Sequence, residues 1–216
     1  MQVTPLSSPP LTKPLMRGWS HLVAFMGTLV CGALLLDHAR PDAVAYAAVF
    51  AASLLTLFGT SAFYHCGYWS VAARRILRPI DHSAIFVLIA GTFTAFAPSL
   101  DAWHAHRLLL AGWLAALAGA ARALLWNSAP KKLVAAQSVL TGWVAAAFVP
   151  ALARALPRGS LVLVVLGGCF YTVGAAAFAF RRPNPWPRVF GFHEIFHLFV
   201  IAGATAHFIS AWRLLT

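Results

Sequence analysis

Acidic residues are scarce in this 216-residue chain: five Asp and Glu stand against sixteen Lys and Arg, a formal net charge of +11. Charge of either sign makes up only 10% of the residues, against about 25% in ordinary soluble proteins. So thin a supply cannot cover a water-facing surface, which argues against a soluble domain. Cysteine is scarce too. Cys31, Cys66 and Cys169 are odd in number and no C-x-x-C occurs, which argues against a disulfide framework and a cysteine zinc module. No aromatic–basic recognition module accompanies the basic excess, so nucleic acid is not expected as a partner. The basic residues fall between long apolar runs, where anionic lipid headgroups explain them.

What the chain has in plenty is hydrophobic length, at 61% of residues. A spanning helix needs roughly 20 apolar residues, and seven segments qualify: Trp19–Leu36, Ala43–Tyr64, Ser83–Leu100, Arg107–Trp126, Leu133–Ala153, Ser160–Phe180 and Phe192–Leu215. The predicted fold is all-α, a seven-transmembrane helix bundle over 19–216. The Pro- and Ser-rich stretch 1–18, "MQVTPLSSPPLTKPLMRG", is predicted to be a disordered tail. The apolar run after Trp19 lacks a small-residue cleavage site and reads as a retained membrane helix. Lys13, Arg17, Arg74, Arg75, Arg78, Lys131, Lys132, Arg181, Arg182 and Arg188 fall on one side, ten against the five on the other: Arg40, Arg107, Arg154, Arg158 and Arg213. The bias predicts a multi-pass protein of the plasma (inner) membrane, N-terminus cytoplasmic and C-terminus outside.

Ionisable groups inside apolar helices are expensive and therefore informative. Helix two ends in "GTSAFYHCG" with Ser61 and His65, helix three begins "RPIDHSAIF" with Asp81 and His82, and helix seven begins "GFHEIFH" with His193, Glu194 and His197. The topology sets all three groups at one cytoplasmic depth. Ser61 and His65 are four apart, and so are His193 and His197, about 6 Å along a helix axis. Two imidazoles on one face can share a metal ion, and His65 would complete a three-histidine site with a place open for water. Asp81 could hold that water or orient a ligand, or could simply cap helix three. Ser61 could equally bond its own helix backbone. Cys66 points about 100° from His65, and His82 is expected to point elsewhere. His21 and His207 read as interior polar groups, the latter roughly 15 Å from His197. His38, His104 and His106 read as solvated.

His193-Glu194-x-x-His197 also matches the zinc-protease helix signature. No acidic residue follows Glu194 to serve as third ligand, and Val200 stands where the longer protease pattern requires Gly. The protease match is read as accidental, with Glu194 turned away from the metal face.

The set Ser61-x-x-x-His65, Asp81 and His193-x-x-x-His197, with the stretches "DHSAIFVLIAGTFTAF" and "FGFHEIFHLFVIAGATAHF", resembles the hemolysin III family. That family lies within the progestin and adipoQ receptor group, which includes the adiponectin receptors. The likeness runs from about Arg17 to Trp212. It implies a zinc ion held by His65, His193 and His197, with Asp81 and Ser61 around a bound water. The receptor relatives are linked to ceramide hydrolysis, and hemolysin III members are also described as pore-forming cytolysins. The resulting expectation is a zinc-dependent hydrolase of a lipid amide or ester, with Asp81 as proton acceptor and Ser61 beside the site or donating to an oxyanion. The alternatives are a pore or channel, or a metal-dependent sensor with a structural zinc. The long N-terminal domain of the receptor relatives is missing, so hormone binding is not implied.

Overall fold

The computed structural model describes residues 13–216, and these are folded almost wholly as helix. In chain order the helices are α1 (Trp19–His38), α2 (Val44–Cys66), α3 (Val71–Phe96), α4 (Ala102–Leu125), α5 (Lys131–Trp143), α6 (Val149–Ala155), α7 (Arg158–Phe180) and α8 (Phe192–Leu215). Seven spans are long and apolar enough to cross a membrane, the fifth being α5 and α6 joined by a 3₁₀ segment, Val144–Phe148. That break has a local cause. Pro150 lacks the N–H that the Ala146 carbonyl would receive in an α-helix, and that carbonyl accepts from Val149 instead.

The main core joins α2, α3 and α8: Phe50, Leu54 and Phe58 pack with Ala84, Leu88, Val200 and Ala204. Phe86 and Ala90 of α3 pack on Ala116 of α4. α3 is therefore the central helix, enclosed by α2, α4 and α8.

α3 begins twelve residues before the predicted Ser83, capped by Ser70, whose hydroxyl accepts from Ala73 N at 3.2 Å. Arg74, Arg75, Arg78 and Pro79 look like a loop but lie inside the helix. At 26 residues it is about 39 Å long, enough for its first turns to stand outside the hydrocarbon layer, where arginine is tolerated. Pro79 offers no N–H to the Arg75 carbonyl; Asn127, from the α4–α5 connection, donates its Nδ2 to that oxygen at 3.1 Å. The consequence is a correction: Asp81 does not cap a helix. It is well inside α3, and its carboxylate is left for other work.

The expected disordered stretch 1–18 falls mostly outside the described residues. Its last six residues lie against the bundle. Leu15 N and Met16 N donate to Arg188 O and Val189 O at 3.0 and 3.1 Å, and Lys13 Nζ donates to Cys66 O at 2.9 Å. Gly18, at φ +88°, lets the chain pass so close to α2 that a Cβ there would lie 2.8 Å from His65 Cβ. Two fastenings then join α1 to α8. Arg17 pairs with Glu194 at one end. At the other, Arg40 donates its N to Leu215 O at 2.9 Å and its Nη1 to Leu214 O at 2.5 Å.

Candidate metal centre

His65 occupies the last turn of α2, and His193 and His197 the first two turns of α8. Helical spacing stacks the latter two on one face, and close packing of α2 on that face brings in the third. One ring nitrogen from each lies within 4.8 Å of the other two, the only such group among the described residues. His193 Nε2 and His65 Nε2 are 3.3 Å apart. The ring centroids are 4.6 Å (65 to 193), 4.6 Å (193 to 197) and 5.1 Å (65 to 197) apart, all edge-on rather than stacked. The rings are steeply inclined to one another, and it is the short distances between their nitrogens that define a common point. The three residues could hold a metal ion.

Asp81 is buried, with Oδ2 at 3.5 Å from His65 Nε2. A lone carboxylate buried in a membrane bundle is costly unless partnered, and the partner here is the ligand cluster itself. His82 lines the adjacent cavity but is outside the three-histidine group, as is Cys66.

Ser61 is also buried, one turn before His65. Its hydroxyl bonds His21 Nδ1 at 2.8 Å rather than its own backbone. His21 is the residue that sequence reasoning undervalued. It is buried in the first turn of α1, and its ring lies flat on His197, with centroids 3.8 Å apart and planes at 10°. His197 Nδ1 has no hydrogen-bond partner among the described residues. A metal-binding histidine ordinarily has its ring fixed by a bond to the second nitrogen; the His197 ring is instead held by stacking on His21. The signal was available. His21 starts α1 at the depth assigned to the other groups, but it has no i+4 partner to draw the eye.

Glu194 is turned from the cluster, as its position in the helix requires. Its Oε2 accepts from Gly191 N at 2.7 Å, closing the first turn of α8, and its Oε1 pairs with Arg17. The protease-like glutamate is an architectural residue here. His207 is an interior group, bonded through Nε2 to Val164 O at 3.0 Å. His38 is exposed and bonds Leu34 O, while His104 pairs with Asp101 at the start of α4.

A cavity of about 180 Å³ adjoins the cluster. His65, Asp81 and His193 line one part of it; Leu88, Phe93, Val139, Trp143 and Val165 line the rest, and it extends to His207 and Leu152. The walls are overwhelmingly apolar, and one wall is the fifth span.

The chain is 32% identical over 161 residues to a hemolysin-3 homolog of Bacillus subtilis (strain 168), covering 74% of this chain and 72% of that one. It is 28% identical over 172 residues to hemolysin-3 of Bacillus cereus, covering 79% and 75%. An adiponectin receptor protein of Drosophila melanogaster is 25% identical over 214 residues, covering 88% of this chain and 48% of the receptor. The sequence pattern of the Haemolysin-III related family matches residues 10–208, and this multi-pass membrane chain belongs to that family.

Proposed function

We propose that His65, His193 and His197 hold a zinc ion and that the protein hydrolyses an amide or ester bond of a membrane lipid. The observation that carries this is the 3.3 Å between His65 Nε2 and His193 Nε2. Two nitrogens each 2.0–2.1 Å from a tetrahedral zinc stand about 3.3 Å apart. Three neutral imidazoles and no thiolate also match the donor set of zinc sites that keep one position open.

Zinc bound there would supply a Lewis acid for the substrate carbonyl and acidify water at the open position. The remaining work falls to the chain. Asp81, packed against the ligand cluster and free of any capping duty, accepts a proton from the attacking water and returns it to the leaving amine or alcohol. Ser61, held by His21, offers a hydroxyl beside the ligands for the developing oxyanion. The apolar cavity takes the acyl chain and keeps bulk water out. With the N-terminus cytoplasmic, as the ten-to-five charge bias indicates, the site lies at inner-leaflet headgroup depth, where an amide or ester linkage of a lipid is found. The relatives' hemolysin names suggest lysis, but a cavity with mainly hydrocarbon walls suits an acyl chain better than a file of hydrated ions.

The test is fatty-acid release from ceramide-like amides and simple lipid esters by purified protein in lipid vesicles. Activity should fall with a chelator and return with zinc, at about one zinc per chain by elemental analysis. Vesicles that leak dye while every lipid stays intact would replace the hydrolase by a pore.

A further inference from the structure

Farther along the cavity, α7 and α8 bring together two polar rings that the proposed hydrolysis does not use. Tyr171 and His207 both line the cavity, and their ring centroids are 5.5 Å apart. Each ring is seated on a glycine of the opposite helix. A Cβ at Gly203 would lie 2.9 Å from Tyr171 Cζ, and one at Gly167 would lie 2.3 Å from His207 Cδ2. Two apolar rings would fill that space equally well, so packing does not explain the polar atoms.

His207 Nε2 is 3.0 Å from Val164 O. A carbonyl can only accept, so Nε2 carries the proton and Nδ1 is an acceptor. Among the described residues, neither that Nδ1 nor the Tyr171 hydroxyl has a hydrogen-bond partner, and both are enclosed. The other hydroxyls lining the cavity are all partnered: Ser61 bonds His21 at 2.8 Å, and three are bonded to their own helices, Thr92 to Leu88 O at 2.8 Å, Ser138 to Val134 O at 3.0 Å and Thr172 to Gly168 O at 2.7 Å. Buried polar groups in proteins are ordinarily paired, and an unpaired one calls for a missing partner. Two on facing helices, with rings 5.5 Å apart beside one cavity, can share one partner.

The chemistry of that partner follows. It must donate to Nδ1 and accept from the tyrosine O–H. A carboxylate cannot donate, an ammonium cannot accept, and a hydroxyl does both. Along α8, Gly203 and His207 are about 9 and 15 Å beyond His197, so this pair sits near the bilayer midplane, where headgroups do not reach. We infer that Tyr171 and His207 bind a hydroxyl carried part-way along a lipid chain whose carbonyl lies at the metal centre. This rests on the lipid reading proposed above and adds a selectivity to it.

Equilibrium binding of oleate and of ricinoleate, which differs by one mid-chain hydroxyl, separates the two ideas. Wild-type protein in detergent should bind ricinoleate about three- to tenfold more tightly, the worth of one or two net hydrogen bonds. Tyr171→Phe removes one oxygen and leaves the ring on Gly203; it should bind both acids alike, at the wild-type oleate affinity. His207→Leu should erase the preference in the same way. Equal wild-type affinity for the two acids would overturn the hydroxyl site, leaving a bound water as the missing partner, while the lipid reading stands. A full preference surviving in both variants would overturn it too. Binding of neither acid by the wild type would bring down both readings.

Discussion

α3 and the fifth span both line the same cavity and are built in opposite ways. In α3, 67% of the most apolar stretch is buried against other helices; in the fifth span, only 17%. α3 is a continuous 26-residue helix, whereas the fifth span is broken by a 3₁₀ segment none of whose residues is buried. Asp81 is mounted on the first, and only cavity wall on the second. The free energy of local opening is lowest where few buried contacts hold an element. On the proposed reading, Asp81 is mounted on the better-packed helix, and the lipid chain lies against the wall that yields more easily.

The contrast can be tested from its strongest point downward. Removing one ligand, by His65→Ala, His193→Ala or His197→Ala, should abolish stoichiometric zinc in the purified protein. Retention of a full equivalent by any of the three would strike that residue from the cluster. Asp81→Asn keeps shape and hydrogen bonding but cannot accept a proton, so zinc content and thermal stability should hold while lipid hydrolysis falls about 10²–10⁴-fold. His21→Ala should weaken zinc binding about 10–100-fold, as loss of a ligand's orienting partner does. His21→Phe, which keeps a flat ring on His197, should recover most of that affinity in a chelator competition. The smallest effect addresses packing alone. A Cβ at Gly91 in α3 would lie 2.1 Å from Ser53 Oγ, whereas one at Gly142 in the fifth span meets nothing within 4 Å. Gly91→Ala should cost about 1–3 kcal/mol as an overpacked site, and Gly142→Ala should fall within about 0.5 kcal/mol of wild type, both read from thermal unfolding in detergent. Equal sensitivity at the two glycines would remove the distinction between the walls.

Much of this arrangement was legible in the sequence, for identifiable reasons. Seven apolar runs separated by Pro, Arg and Gly gave the spans because lipid admits little but complete helices. The three histidines could be grouped because helical spacing and loop charge are both readable locally. The start of α3 was not, because Arg78-Pro79 reads as a helix end. Within the helix, the Arg75 carbonyl that Pro79 cannot serve is bonded by Asn127, 52 residues beyond Arg75. The Asp81 cap failed with it. His21 was passed over because its importance lies in a stack against a residue 176 positions later, and no local pattern reports a long-range ring contact.

The fastening of α1 to α8 at both ends bears on how the molecule is made. Glu194, Leu214 and Leu215 are the anchors for Arg17 and Arg40, and the ribosome delivers them some 174 to 177 residues after the arginines they hold. Until then the first helix can close against α2 but not against α8, and two of the three clustered imidazoles have not been synthesised. On the proposed reading, metal loading must wait for α8, and a product truncated before α8 lacks two of the three histidines of the centre.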